Sequence, residues 1–175
     1  MAAGVDQSEH SMLRELIIEH LFVGEGLRKF WRCGIADVEV GRAEIDAFGY
    51  DLVMSRGQVV RHIQLKTMKV GGRARDVKVS LKLMEKPSGC VVWIVVDPAR
   101  LDMRSFLWFG GAPGARLPDI THFKVARHSK GDSSGTKNER KEHRLVKRSS
   151  FKKLQTLDEV LVNLFGALPE EMTAP

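Results

Sequence analysis

The chain has little cysteine and no long apolar run. Of its 175 residues only Cys33 and Cys90 are cysteines, and they form no CxxC pair. Each lies within an apolar stretch, so we expect two buried free thiols, as is usual in a reducing compartment. No stretch approaches the roughly 20 apolar residues that cross a bilayer, and the polar first eleven residues do not resemble a signal peptide. These absences predict a cytoplasmic protein without a membrane span.

Two common kinds of binding site are also missing. His122, His128 and His143 have no Cys or His partner at the spacing of a zinc site. The glycine-rich residues 110–114 are not followed by the Lys-Ser/Thr pair of a phosphate-binding loop. The sequence therefore predicts neither a structural zinc ion nor a P-loop nucleotide site.

Positive charge is in excess and is concentrated near the C-terminal end. The chain has 28 Lys and Arg against 22 Asp and Glu, a net charge of +6, and ten of the basic residues lie in residues 127–153. Such a balance favours a polyanionic partner. We interpret this loop-rich segment either as a phosphate-contacting surface or as a solvated, mobile one. Its candidate nucleic-acid contacts are Arg127, Lys130, Lys137 and Arg140.

The length of the chain suits one domain over residues 1–175. Apolar spacing predicts its elements in the order helix, three strands, helix and strand, followed by a further strand and helix. The first helix is expected over residues 11–31, with Gly24 and Gly26 weakening its middle. A second, short helix is expected over residues 77–86. Thr156 and Glu159 have the capping-box pattern and open the last helix. The strands are expected at residues 38–40, 50–54, 59–67, 90–96 and 105–109. This order implies an α/β fold with a central mixed sheet and helices on both faces.

Strand alternation brings three polar residues together. Gln64 and Lys66 lie two apart on one predicted strand, so they point to the same face. Asp51 opens the preceding strand and would lie beside them if the two strands pair through a turn at residues 55–58. Hydrolysis of a phosphodiester at neutral pH needs a divalent cation held by oxygen ligands and a protein cation that stabilises the phosphate charge. These residues predict a divalent-metal phosphodiesterase site.

The segments GYDLV (residues 49–53) and IQLK (residues 63–66), which follow a helix with acidic residues, resemble the motifs of the PD-(D/E)XK nuclease superfamily. That family has an acid on the first helix, an Asp opening the second strand and (E/Q)xK on the third. The resemblance covers roughly residues 11–96. It implies a restriction-endonuclease-like core of order α-β-β-β-α-β, to which this chain adds a C-terminal strand and helix.

The resemblance also implies roles for the motif residues. Asp51, Gln64 and a helical acid would bind Mg²⁺ or Mn²⁺, and Lys66 would engage the phosphate or the attacking water. The implied activity is that of a metal-dependent nuclease acting on DNA, and many such nucleases form homodimers. Gln64 stands where Glu is commoner, which removes one negative charge from the metal site. This keeps open the alternative of a catalytically silent module that binds nucleic acid or a protein partner.

Three glutamates could supply the helical acid: Glu15, Glu19 and Glu25. At 100° per residue, Glu19 and Glu25 flank the apolar stripe of the helix on opposite sides, so periodicity does not choose between them. Glu25 lies between two glycines and nine residues before Gly34, which best matches the spacing of acid, helix and glycine in the family. We therefore prefer Glu25, with Glu19 second.

Overall fold

A mixed six-stranded sheet forms the centre of the computed structural model, which describes residues 10–45, 47–127 and 139–172. The elements are α1 (Ser11–Arg32), β1 (Val38–Arg42), β2 (Leu52–Arg56), β3 (Val59–Lys69), β4 (Asp76–Ser80), β5 (Gly89–Val96), β6 (Met103–Gly110), β7 (Val125–Arg127), β8 (Glu139–Lys147), β9 (Lys152–Leu154) and α2 (Leu157–Phe165).

The strand order of the large sheet is β1-β2-β3-β5-β6-β9, and a second sheet has the order β4-β8-β7. Strands β3 and β5 are parallel, and the other neighbours in the large sheet are antiparallel.

The two faces of the large sheet are covered by different layers. On one face, Ile63 and Ile94 pack with Phe22 of α1 and Leu161 of α2. On the other face, a second core is built where β5 meets the three-stranded sheet. Its members include Val91, Trp93, Val79 and Val146. The α/β class and the mixed sheet are as expected, but the expectation of helices on both faces is wrong, because both α-helices pack on one side and a sheet covers the other.

The sequence signals for the two helices are confirmed. Helix α1 runs unbroken through Gly24 and ends where Gly34 adopts a positive φ of 69°, which lets Ile35 N–H donate to Phe30 O at 2.9 Å. Helix α2 has a complete capping box: Glu159 N–H donates to Thr156 Oγ1 at 3.2 Å, and Thr156 N–H donates back to Glu159 Oε2 at 3.2 Å.

The helix expected at residues 77–86 is wrong. Residues 76–80 form strand β4, and a 3-10 turn follows at Leu81–Glu85. Val77 and Val79 alternate with polar residues, so strand β4 buries Val79 in the second core and packs the partly buried Val77 against it while it pairs with β8. The same pairing shows that residues 139–147 are a strand, so the segment 127–153 is less loop-rich than expected.

Cys33 and Cys90 are both buried and free, as the sequence predicts. Burial raises the pKa of the Cys90 thiol to about 12, so this thiol stays protonated at neutral pH. Within the described residues, no helix combines the length and apolar character needed to cross a bilayer.

A fully buried arginine ties β3 to α2 and to the loop after β6. Arg61 Nε donates to Leu164 O at 2.7 Å, and its Nη2 donates to Asn163 O at 2.8 Å and to Gly111 O at 3.1 Å. The guanidinium carbon lies 5.4 Å from the centre of the Trp108 ring. Burial lowers the pKa of Arg61, and the carbonyls at the negative end of the α2 dipole offset that desolvation.

Replacing Arg61 should test how far the fold depends on this network. Arg61→Met removes the donors and leaves buried carbonyls unpaired, so we expect the free energy of unfolding to fall by about 3 kcal/mol. Urea denaturation followed by circular dichroism measures the change. Arg104→Met, at an exposed β6 position, is the matched control and should cost under about 1 kcal/mol. An equally small cost for Arg61→Met would contradict the assigned role.

Candidate functional site

Asp51 lies where β2 separates from β3. The paired register ends at Leu52 and Ile63, and one residue earlier Asp51 N–H still donates to Ile63 O at 2.9 Å. The Asp51 carboxylate then accepts a hydrogen bond from Leu65 N–H at 2.7 Å. A side-chain oxygen therefore binds a β3 backbone N–H beyond the end of the ladder, which fixes the carboxylate beside β3 at the point where the strands separate.

This point opens into a cavity of about 330 Å³. Asp51 and Lys66, which the sequence predicts to act together, both line it. The wall opposite them is the first half of α1, which contributes Glu15 and Glu19. The remaining lining residues are Met12, Leu16, Ile18, Leu65 and Thr67. The cavity thus brings carboxylate residues from two elements together with Lys66.

Gln64 occupies a different position from Asp51 and Lys66. It is 6% exposed and is not among the residues that line the cavity. Its amide nitrogen lies against Gly49, where a Cβ atom would come within 3.7 Å of it and within 2.6 Å of Ser80 Cβ. Gly49 also has a positive φ of 75°, so glycine is required here on both counts. Gln64 therefore packs beneath the segment that leads into Asp51, and its buried Oε1 has no hydrogen-bond partner.

The structure separates the three helical acids. Glu15 and Glu19 lie one turn apart on the core-facing side of α1 and reach the cavity, and Glu19 accepts a hydrogen bond from Arg42 Nε at 2.6 Å. Glu25 is ion-paired with Arg28 and lines another cavity, of about 390 Å³, formed with residues 100–103 and 155–157. The preference for Glu25 does not match this geometry, because its side of the helix faces away from Asp51.

The oxygen donors around Asp51 suit a hard divalent cation. Within the described parts of the chain, no three His, Cys, Asp or Glu side chains are close enough to hold a metal ion as a group. Mg²⁺ takes only one or two carboxylates and completes its shell with waters and substrate phosphate, and Mn²⁺ accepts similar ligands. Asp51 and Glu19, which both line the cavity, therefore fit Mg²⁺ or Mn²⁺ better than zinc.

Aromatic and basic side chains form a cluster around Tyr50, the residue that precedes Asp51. Lys86 Nζ lies 3.6 Å from the centre of the Phe48 ring and 5.5 Å from that of Tyr50, and Tyr50 contacts His62 edge-to-face at 5.0 Å. Burial, assisted by the charge of Lys86, lowers the pKa of His62. His62 is therefore neutral at pH 7 and does not add a positive charge beside Gln64 and Lys66.

The basic segment is described in part. Arg127 lies on β7, where its Nη2 is 3.8 Å from a Glu139 carboxylate oxygen, and Arg140 lies on β8 opposite Ala126. Both arginines are exposed and belong to the three-stranded sheet. Lys130 and Lys137 lie outside the described residues. Lys141 and Lys147 of β8 are also exposed, which composition alone did not distinguish.

The pKa of His62 predicts a pH dependence of stability. Because the folded state holds this pKa below that of the unfolded chain, unfolding takes up a proton as the pH falls below about 6.5. Stability from His62 is therefore present above that pH and is lost as the pH falls through the unfolded value towards the folded one. Thermal unfolding between pH 7.5 and 5.5 should show a smaller decline in Tm for His62→Gln than for the wild type. An identical decline would contradict this assignment.

Comparisons with known proteins add no family or relative. No protein-family model matches this chain, and no curated protein matches it significantly. A function is therefore inferred from the residues of the chain and from the cavity that Asp51, Lys66, Glu15 and Glu19 line.

Proposed function

We propose that this chain is a Mg²⁺- or Mn²⁺-dependent phosphodiesterase of the PD-(D/E)XK nuclease type, acting on DNA. The observation that carries the proposal is the shared cavity of Asp51, Lys66 and two glutamates of α1. An acid on the first helix, an Asp at the opening of β2 and a Lys on β3 agree in order with the motifs of that superfamily. This agreement supports a restriction-endonuclease-like core, although here a strand and a 3-10 turn occupy the connection before β5.

The residues of the cavity have different roles in the proposed reaction. Asp51 and Glu19 would hold the cation, and Glu15 is one turn away. When bound, the cation would polarise the scissile phosphate and lower the pKa of a water molecule. Lys66 supplies a positive charge that stabilises the charge developing on the phosphate oxygens. Arg42 bonds to Glu19 and so reduces the repulsion between neighbouring carboxylates before a cation arrives.

Gln64 adds no negative charge to the site, whereas a glutamate at this position would. A neutral amide can be buried at a lower desolvation cost than a carboxylate, and Gln64 is buried beside Gly49. The negative charge of the site then comes from Asp51 and the α1 glutamates. The exposed basic side chains of β7 and β8 would contact phosphates without reading sequence.

The second candidate function is a catalytically silent module that binds nucleic acid or a protein. Two observations favour it: Gln64 does not line the cavity, and Glu19 is already bonded to Arg42. Both functions predict DNA binding that weakens with salt, so a binding assay does not separate them. Cleavage does.

Cleavage of supercoiled plasmid and branched DNA with Mg²⁺ or Mn²⁺ tests the proposal. Asp51→Asn keeps an acceptor for Leu65 N–H but removes the charge, and Lys66→Ala removes the amine. We expect each substitution to lower the rate about 100-fold or more while DNA binding persists. Lys69→Ala, at the exposed end of β3, is the matched control and should cleave like the wild type. Unchanged rates in both site variants would exclude the site, and a wild-type protein that binds DNA without cutting it would support the silent module.

The choice of helical acid has its own test. Glu19→Gln should raise the Mg²⁺ concentration needed for half-maximal cleavage about tenfold, because one of two carboxylates loses its charge. Glu25→Gln, on the same helix but in the other cavity, should leave the Mg²⁺ dependence unchanged. A metal titration of the cleavage rate measures both. The reverse result would restore Glu25 as the acid of the site.

A further inference from the structure

Helix α1 has a second apolar stripe, on the side away from the core. We call it the α1 seam, and its members are Leu13, Ile17, His20, Gly24, Leu27 and Trp31. All are exposed, and Trp31 and Leu13 are 71% and 53% exposed, respectively. Their spacing alternates between four and three residues along the whole helix. That is the spacing with which a helix packs against another helix in a coiled coil.

The seam is larger than scattered surface hydrophobicity. The exposed parts of its apolar side chains, with Leu16 and Leu21 at its margins, add up to roughly 500 Å². Contiguous apolar patches of this size on a protein surface mark interaction sites, whereas single exposed leucines are ordinary.

The seam is complementary to itself. When a second copy of α1 is placed antiparallel to the first, with position 22 opposite position 22, position 13 lies opposite 31, 17 opposite 27 and 20 opposite 24. Every seam position therefore lies opposite another seam position. In an antiparallel pair related by a twofold axis, the largest member, Trp31, meets Leu13 of the partner, and His20 meets the partner's Gly24. Such an exchange of positions is what an isologous interface requires.

Gly24 supports a close approach of this kind. A Cβ atom added at Gly24 would meet nothing within 4 Å, so packing inside one chain does not require glycine there. Glycine in a helix interior costs about 1 kcal/mol relative to alanine. A helix that crosses closely at this position, opposite the imidazole of His20, gives a reason for the missing side chain.

A groove lies where the antiparallel arrangement places the partner's Trp31. Its volume is about 180 Å³, and its walls include Leu13 and Ile17 of the seam together with Pro98 and Leu101 of the β5–β6 loop. Most of the residues that line the groove are apolar. An aromatic anchor that fills an apolar pocket is the usual centre of binding energy in an interface.

We propose that the chain forms a twofold-symmetric homodimer through antiparallel packing of the α1 seam, with each Trp31 in the groove beside Leu13 of the other subunit. Complete burial of two such surfaces would remove at most roughly 1,000 Å² from solvent, which is about the lower limit for a specific interface, and the loop 98–101 would add to it. The proposal does not depend on the activity of the Asp51 cavity, because the seam and Glu19 lie on different sides of α1.

Sedimentation velocity of the full chain, over a concentration series in the micromolar range, tests the assembly. We expect the wild type to be a dimer and Gly24→Arg to be a monomer with unchanged circular dichroism, since its side chain extends into open space in the single chain. Gly41→Arg introduces the same side chain at an equally open position on β1 and should remain a dimer. A wild type that is monomeric at every concentration would overturn the proposal, as would a Gly24→Arg variant that stays dimeric.

Disulfide cross-linking tests the antiparallel arrangement. A mixture of the Leu13→Cys and Trp31→Cys variants should form a covalent heterodimer under mild oxidation, because these positions meet across the twofold axis. Leu13→Cys alone should not cross-link. The native Cys33 and Cys90 are buried and give the wild-type control a low background. Efficient cross-linking of Leu13→Cys to itself, without a covalent heterodimer in the mixture, would show a different packing and would refute the proposed interface.

Discussion

The buried guanidinium of Arg61 is the interaction on which the rest of the structure depends. It lies at the third position of β3, and its hydrogen bonds reach the last turn of α2 and the loop after β6. A shift of β3 by one residue would turn Arg61 to the opposite face, away from these carbonyls, and would leave a buried charge without partners. The same register places Gln64 and Lys66 on the face opposite Arg61 and sets Leu65 N–H beside the Asp51 carboxylate. The geometry of the cavity therefore follows from a residue that does not touch it.

The parts of the fold that local signals specify could be predicted from the sequence. The alternation in β3, the apolar run of β5 and the capping box of α2 each depend on neighbouring residues, and each is present in the structure. Strand β4 is different, because its partner β8 lies more than 60 residues further along the chain. A short segment with two valines and a polar alternation can be read as helix or strand until a partner strand is known. The sheet that replaces the expected second-face helix was therefore outside the reach of local patterns.

The helical acid shows a second limit, which comes from α1 itself. The helix has an apolar stripe that faces the core, through Ile18, Phe22 and Phe30, and another that faces outwards, through Leu13, Ile17 and Trp31. Periodicity alone does not show which of the two stripes faces the core. With the direction of the core undetermined, periodicity does not distinguish Glu19 from Glu25. In the structure, the burial of Phe22 turns Glu15 and Glu19 towards the cavity that Asp51 lines and leaves Glu25 beside Arg28.

Helix α1 thus presents two different sides to its surroundings. Its core side anchors the helix to the sheet, the N-terminal half of that side continues into the cavity with Glu15 and Glu19, and the opposite side carries the seam. Two helices paired through their seams turn their glutamates away from each other, so in the proposed dimer the two cavities open on opposite sides of the interface. The proposed assembly and the proposed hydrolysis therefore have separate physical causes. The dimer follows from apolar surface left on α1, and the hydrolysis follows from the separation of β2 from β3 at Asp51.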